Sequence, residues 1–198
     1  MKKICHDWGK LLKEDFTTGK YWKDFEENAT AASFEIKIIK SYEEALPIIQ
    51  EVAKQLEAKK IAGIGVDEIP QLANIYESLK KDYEVYTDKF DIVRNANVID
   101  IGITLGEFGV GETGSVCVDN YAYEARLASM LPPMNMIFMK KDYIVNNMQD
   151  AFDTIAKVFD KGYTGFVTGP SRTSDIERVL TLGVHGPSRV ILFALDDK

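Results

Sequence analysis

The residues best suited to ligand binding or catalysis lie in two glycine-rich segments of this 198-residue chain, 102–114 and 169–187. The first segment carries two carboxylates, Glu107 and Glu112, and Thr113 follows the second of them. A carboxylate in such a loop can act as a base, as a nucleophile or as a hydrogen-bond acceptor. The sequence therefore predicts a ligand cradle here, and the alternative is a tight connection with solvated glutamates.

Five glycines fall in the first segment, between two predicted strands: Gly102, Gly106, Gly109, Gly111 and Gly114. Their spacing does not match the dinucleotide-binding fingerprint, and a strand rather than a helix follows them. Glycine lets a backbone approach a ligand closely. We therefore place Gly111, Thr113 and Gly114 beside Glu112 in the candidate ligand-binding loop.

The second segment begins at Gly169 and leads through Ser171 and Arg172 to a predicted helix that starts near Thr173. A helix N-terminus after a parallel strand offers free N–H groups and the positive end of the helix dipole, at the carboxyl edge where α/β sheets bind ligands. An arginine adds paired donors for a carboxylate or phosphate. We expect an anion site at these residues, and the alternative is a capped helix whose arginine pairs with Asp175.

Two further side chains are candidates. His185 lies in a glycine-flanked turn before the last predicted strand, where it could transfer protons or hydrogen-bond its own loop. Arg126 lies on a predicted helix, where it could reach a ligand or the carboxylate of Glu112, or remain solvated. His6, His185 and Cys117 show no metal-ligand spacing, so we predict no metal site.

Short apolar strands alternate with amphipathic helices along the chain, a pattern that predicts an α/β fold with a mostly parallel sheet and helices on both faces. We expect this domain to span 35–198, and we expect residues 1–34 to form a helical arm that packs onto it or onto a neighbouring subunit. The predicted strands are 34–40, 61–66, 83–87, 97–104, 115–119, 134–139, 164–168 and 189–195, and the clearest predicted helices are 70–80, 123–130 and 150–159.

Composition narrows the class of protein. The formal net charge of -7 and the absence of a basic run argue against a nucleic-acid partner. No signal peptide or membrane span is visible, and two cysteines far apart suit a reduced thiol pair, so we expect a cytoplasmic protein. A cubane or plant-type iron–sulfur cluster needs four thiolates, so this chain alone cannot hold one.

Four motifs together resemble the LUD-domain family, and within it the lactate utilization protein C branch. They are Gly-Glu-Thr-Gly-Ser at 111–115, Arg126 followed by Ser-Met-Leu-Pro-Pro at 129–133, Gly-Pro-Ser-Arg-Thr-Ser-Asp-Ile-Glu at 169–177, and Gly-Val-His-Gly-Pro at 183–187. The resemblance implies a Rossmann-like fold of the sugar-phosphate isomerase and CoA-transferase type. It also implies a role in oxidising L-lactate to pyruvate beside two iron–sulfur partner proteins, with the cofactor of this chain unassigned.

Three functions stay open at this point. The chain is a subunit of a lactate-oxidising system that binds a small carboxylate or a cofactor, with Arg172 holding the anion, Glu112 accepting a hydrogen bond or proton, and His185 shuttling a proton. Alternatively, it is a free-standing CoA-transferase, sugar-phosphate isomerase or folate cyclo-ligase that uses Glu107 or Glu112. The third alternative is a non-catalytic assembly subunit.

Overall fold

The computed structural model describes residues 2–3, 8–11, 14–161, 163–173, 181–183 and 185–197. The strands are β1 (Lys2–Lys3), β2 (Phe34–Ile39), β3 (Lys60–Gly63), β4 (Glu84–Tyr86), β5 (Ile101–Val110), β6 (Ser115–Asp119), β7 (Met134–Lys140), β8 (Ile144–Val145), β9 (Phe159–Lys161), β10 (Thr164–Val167), β11 (Arg172–Thr173), β12 (Thr181–Leu182) and β13 (Arg189–Leu195). The α-helices are α1 (Trp22–Ala31), α2 (Ala45–Gln55), α3 (Gln71–Leu79), α4 (Lys89–Asn95), α5 (Tyr123–Met130) and α6 (Met148–Val158).

Six parallel strands form the centre of the fold, in the order β4-β3-β5-β7-β13-β2. Strand β2 pairs only with β13 among the described strands, which makes it an edge of the sheet. The predicted α/β class with a mostly parallel sheet is therefore confirmed. Within the sheet that contains these six strands, the antiparallel pairs all lie beyond the midpoint of β5.

Strand β5 belongs to two parts of the sheet. Its first half, Ile101–Leu105, pairs in parallel with β7, and its second half, Gly106–Val110, pairs antiparallel with β6. The register shifts between Gly106 and Phe108, and such an irregularity bends a strand and increases its twist. Strands β6 and β10 consequently form an antiparallel extension that continues from β5.

The two faces of the parallel sheet bury different helices because successive side chains of a strand point to opposite faces. Met134, Met136 and Phe138 of β7 pack with the buried faces of α2 and α3. Ile137 and Met139 of the same strand pack instead with α1 and with β6. Helices α4 and α5 cover the remainder of this second face over β3 and β5. The predicted helices on both faces are confirmed.

The residues that precede α1 place Trp8 and Phe16 on the outer side of the β5–β6 extension. Trp8 and Phe16 are 4% and 5% exposed and lie in one cluster with Phe108, Cys117 and α6. Helix α1 lies on the inner side of the same extension, with Phe25 fully buried. The extension is therefore covered on both sides.

The prediction that 102–114 is mostly loop is wrong. Strand β5 continues through Val110, and only 111–114 forms a turn. Glu107 accordingly lies in a strand, at the register shift, and is only 7% exposed. The glycines of this strand have a packing reason, since a Cβ on Gly102 would lie 1.8 Å from the carbonyl oxygen of Ala128 in α5.

The helix predicted to start near Thr173 does not begin there. Arg172 and Thr173 form strand β11, which pairs antiparallel with Leu182 and Thr181 of β12. The remainder of the predicted helix, 174–180, lies outside the described residues. The anion site therefore has no helix N-terminus at Ser171–Thr173 to support it.

Candidate functional site

The turn that carries Glu112 is fixed on two sides. The Gly111 N–H donates to the Val145 carbonyl at 2.8 Å, and the Asn28 side chain donates to the Gly111 carbonyl at 2.9 Å. Gly114 has φ +64° and presses against α1, where a Cβ would lie 2.1 Å from the Ala29 nitrogen. The turn is thus held between α1 and β8.

Glu112 lines an open cleft of about 430 Å³ with Asp24, Glu27, Asn28, Asn146 and Asn147. Its carboxylate accepts a 3.2 Å hydrogen bond from the N–H of Met148, the first residue of α6. A carboxylate at a helix N-terminus is electrostatically favourable. Because three carboxylates line one cleft, this space favours donors and positive charge over the carboxylate of a ligand.

A chain of hydroxyls joins this turn to the second glycine-rich segment. The Thr113 and Ser115 hydroxyls lie 2.7 Å apart, and those of Ser115 and Thr168 lie 2.8 Å apart. Ser115 is only 3% exposed. The two segments meet here because β10 pairs with β6, which brings Val167 opposite Val116.

Two short stretches of the second segment are bonded to each other. The Ser171 N–H donates to the Pro187 carbonyl at 2.8 Å, and the Ser171 carbonyl accepts from the Gly183 N–H at 2.9 Å. Gly169 has φ +75°, and a Cβ there would lie 1.9 Å from the Ala32 carbonyl oxygen at the end of α1. The structure thus brings the segments of Arg172 and His185 together.

Arg172 is exposed, and its Nη2 donates to the Ser33 hydroxyl at 3.0 Å. Among the described residues no carboxylate pairs with it, and the predicted partner Asp175 lies outside them. Thr173 follows in β11, and His185 is exposed in its turn. The exposed guanidinium therefore has donors available to a ligand.

The prediction that this segment lies at the carboxyl edge of the sheet is wrong. Ser33 immediately precedes β2, and the Ser188 N–H, next to β13, donates to the carbonyl of Pro133, which precedes β7. Arg172 and the Ser171–Pro187 bond therefore lie at the amino ends of three parallel strands. Arg172 and Thr173 form β11 there, and β11 pairs with β12.

Arg126 lies in a third place, on α5. Its guanidinium carbon is 4.8 Å from the Tyr123 ring centroid and 5.4 Å from that of Tyr163. The structure does not pair Arg126 with Glu112, whose carboxylate is bonded to Met148 instead. The ten candidate residues therefore fall into three groups, the acidic cleft, the Arg172–His185 edge and Arg126, and the hydroxyl chain joins the first two.

The sequence analysis missed several of the polar residues that lie in these three groups. Asp24, Glu27 and Asn28 are spaced so that they share one face of α1, a signal that the scattered aromatic residues of this segment obscured. Tyr163 and Thr168 flank β10, a strand that the sequence predicted at 164–168, but neither residue was singled out as a candidate. Their roles depend on the pairing of β10 with β6, which sequence alone does not specify.

Burial makes the thiol of Cys117 unreactive. Removal from solvent, assisted by the nearby charges of Glu107 and Asp119, raises the pKa of this thiol far above its usual value. The thiolate is the reactive form of cysteine, so this side chain acts as a small core residue.

Within the described ranges, no three histidine, cysteine or acidic side chains are grouped in a way that would hold a metal ion. Over the same ranges, no helix has the length and apolar character needed to cross a bilayer.

Comparison with known proteins adds a family and a fold. A family model described as the LUD domain matches residues 22–195. A lactate utilization protein C of Bacillus mycoides is 33% identical over 116 residues, which cover 56% of this chain and 50% of that protein. The lactate utilization protein C of Bacillus subtilis is 32% identical over 111 residues, which cover 54% and 46%. The chain thus spans about half the length of these curated relatives.

A crystal structure of a DUF162 family protein from Deinococcus radiodurans has the same fold. Its TM-score is 0.60 at 16% sequence identity, and the match covers 89% of this chain and 96% of that one. The family match begins within the first 34 residues, at the start of α1.

Proposed function

Because the chain belongs to the LUD-domain family, we propose that it is a component of an L-lactate-oxidising system that converts lactate to pyruvate with iron–sulfur partner proteins. The reaction removes two electrons and two protons from lactate, and in this proposal the partners' clusters take the electrons. The similarity to lactate utilization proteins C supports the pathway.

The observation that carries a binding role is the exposed Arg172 guanidinium beside the bonded Ser171–Pro187 backbone. A guanidinium binds a carboxylate through two parallel hydrogen bonds, and lactate and pyruvate both carry one. Gly169, Ser171 and Thr173 would shape the backbone around the anion. His185, exposed in the same bonded pair of segments, would move a proton, since one imidazole nitrogen can accept a proton while the other donates one.

Glu112 has a different place in the proposal. Its cleft also holds Asp24 and Glu27, and like charges disfavour the approach of another carboxylate. Glu112 would therefore accept a proton or hydrogen bond, and the Thr113–Ser115–Thr168 hydroxyls would connect its turn to the anion-holding segment.

Reconstitution tests the proposal. The chain is combined with its iron–sulfur partners, and L-lactate oxidation is followed with an artificial electron acceptor. Arg172→Ala and His185→Ala should each lower turnover by tenfold or more, whereas Arg94→Ala, at an exposed arginine paired with Asp91, should not. Turnover that is unchanged when the chain is omitted would reject the role in lactate oxidation.

Full turnover of the Arg172→Ala/His185→Ala double variant, with turnover still lost when the chain is omitted, would show that the chain serves assembly alone. Binding of lactate to the isolated chain, measured by calorimetry, separates these roles further. A catalytic or binding subunit should lose that binding in Arg172→Ala.

A free-standing acyl-transfer enzyme is the second candidate, and one observation favours it. Glu112 opens onto a cleft, whereas Glu107 is buried in β5, so only Glu112 is placed to attack an acyl-CoA. The attack gives a mixed anhydride and CoA thiolate, and the thiolate then forms a glutamyl thioester as the acyl group leaves as a free carboxylate. Mass spectrometry after incubation with acyl-CoA would detect that adduct. If no such adduct forms and Glu112→Gln keeps its full acyl-transfer activity, this candidate is excluded.

A further inference from the structure

The guanidinium of Arg126 has no acceptor among the described residues. Its Nε is sealed from solvent and makes no hydrogen bond. The rings of Tyr123 and Tyr163 flank the charge without accepting a conventional hydrogen bond from it. A buried charged donor without an acceptor is costly, and such groups are usually paired. This arginine is therefore suited to an acceptor from outside the chain.

A second buried donor lies on the sheet beneath the same helix. Asn135 of β7 is fully buried, and its Oδ1 accepts from the hydroxyl of Thr104 at 3.0 Å. Its Nδ2 makes no hydrogen bond with any described residue. These two atoms, Arg126 Nε and Asn135 Nδ2, are both donors, so what would satisfy them is an acceptor of hydrogen bonds.

Contacts of α5 place Arg126 beside the β6–β10 pair. The Ser129 hydroxyl lies 3.1 Å from the Arg126 carbonyl and 3.4 Å from Asn120 Oδ1. The Asn120 N–H in turn donates to the carbonyl of Tyr163, whose ring flanks Arg126. Arg126, Ser129 and Asn120 therefore share the side of α5 that faces the β6–β10 pair.

On the sheet side, α5 lies directly over the neighbour of Asn135. The Ala128 carbonyl lies where a Cβ of Gly102 would be, and Gly102 pairs with Asn135 in the register of β5 and β7. Asn120 and Ser129 are 2% and 5% exposed, so the layer between α5 and the sheet contains buried polar groups rather than apolar side chains alone. Exposed Tyr123 and Tyr163 form its rim.

We propose that this layer binds an oxyanion, the carboxylate or phosphate group of a small ligand, through Arg126 and Asn135. Arginine suits both groups because its donors match two oxygens at once. The site differs from that of Arg172, whose side chain bonds to Ser33 just before β2, two strands away from β7 in the sheet. It goes beyond the proposed role in lactate oxidation and does not require it.

Calorimetric titration at constant ionic strength tests the site, with L-lactate and inorganic phosphate as probes and chloride as the reference anion. One of the two probes should bind the wild-type chain, and Arg126→Met should weaken its Kd at least tenfold. Arg94→Met removes an exposed arginine from α4 and should leave the Kd unchanged. The probe that binds identifies the carboxylate or the phosphate as the source.

Two results would overturn the site: equal binding by Arg126→Met and wild type, or no binding of either probe to the wild-type chain. Circular dichroism reports whether Arg126→Met is folded. If Arg126→Met is not folded, Arg126→Lys is tested in its place, since lysine keeps the charge but loses the paired donors. An unchanged Kd in Arg126→Lys rejects the proposal. A Kd that is at least threefold weaker supports it. Binding that Arg172→Ala removes belongs to the Arg172 site, so the effect of Arg126→Met is judged on the binding that Arg172→Ala retains.

Discussion

At the scale of single residues, Gly114 shows how one position fixes the turn that carries Glu112. Its φ of +64° is strained for residues with a side chain, and α1 leaves no room for a Cβ. Gly111, three residues earlier, is less restricted, because its Cβ would meet its nearest neighbour, the Asn146 carbonyl oxygen, at 3.2 Å. The pair therefore offers a matched comparison.

Gly114→Ala should lower the free energy of unfolding by roughly 2–4 kcal/mol, because backbone strain of about 1–3 kcal/mol adds to the collision with Ala29. Gly111→Ala should cost less than half as much. Urea denaturation followed by circular dichroism measures both. Equal losses would mean that the turn relaxes away from α1 without penalty.

Ser115 is the middle member of the hydroxyl chain, and its removal leaves Thr113 and Thr168 without their shared partner. Ser115→Ala should lower the free energy of unfolding by about 1–3 kcal/mol, the usual range for orphaned buried polar groups. Ser115→Thr keeps the hydroxyl and should lose less. Ser78→Ala, at a partly exposed helix serine, is the control and should stay within roughly 0.5 kcal/mol of wild type. A Ser115→Ala variant as stable as this control would show that the chain of hydroxyls adds nothing to the free energy of unfolding.

At the scale of elements, the pair of Arg189 and Glu35 joins β13 to the edge strand β2. Arg189 donates through Nε and, at 2.7 Å, through Nη2 to the two oxygens of Glu35. The hydrogen bond from Arg189, aided by its charge, holds the pKa of Glu35 below its usual range although burial opposes this. The pair therefore stabilises the folded state when Glu35 is ionised.

A lowered pKa in the folded state gives stability that is present above the unfolded pKa and is lost as the pH falls through the folded one. Wild type should exceed Glu35→Gln in unfolding free energy at pH 7, by up to about 1 kcal/mol because the pair is partly exposed. The difference should shrink below roughly pH 4, where Glu35 becomes protonated. Urea denaturation at a series of pH values measures it, and a difference that grows in acid would contradict the assignment.

The sequence predicted best those elements whose bounds are set by their own local pattern of apolar residues. The bounds of α5, β6 and β13 match the prediction, because their apolar periodicity and the flanking prolines act locally. Strand β5 was predicted too short because its glycines suggest a loop, whereas they permit close packing by α5, α1 and β8. That packing is a tertiary constraint, which the local sequence does not show.

The candidate site was predictable in part for the same reason. Gly111–Gly114 and Ser171–Arg172 were singled out by residue type, and the pairing of β10 with β6 does bring their neighbours into contact. The predicted helix start at Thr173 was wrong, since Thr173 lies in β11, and the reason is that Ser, Thr and Asp suit helix caps and turns alike. The separation of Glu112 from Arg126 depends on the bend of β5, which a one-dimensional pattern cannot locate.

At the scale of the whole molecule, the N-terminal segment completes a second core. Trp8 lies with its ring centroid 5.5 Å from those of Phe16 and Tyr143, and 5.8 Å from that of Phe159. These rings cover the outer side of the β5–β6 extension, whose inner side faces α1. The turn of Glu112 ends that extension, so its position depends on residues far from it in sequence.

Trp8→Ala should therefore lower the free energy of unfolding by about 3–5 kcal/mol, the usual range for removing a large buried aromatic side chain. Trp22→Ala is the matched control: Trp22 is only partly buried, against Phe25 and Lys141, so its loss should be clearly smaller. Urea denaturation followed by circular dichroism measures both variants. If Trp8→Ala costs no more than Trp22→Ala, the segment is not docked in solution and the extension must be stable without it. If the segment is docked, the fluorescence emission of Trp8, measured in Trp22→Phe, should shift to longer wavelength in the same transition in which the sheet unfolds.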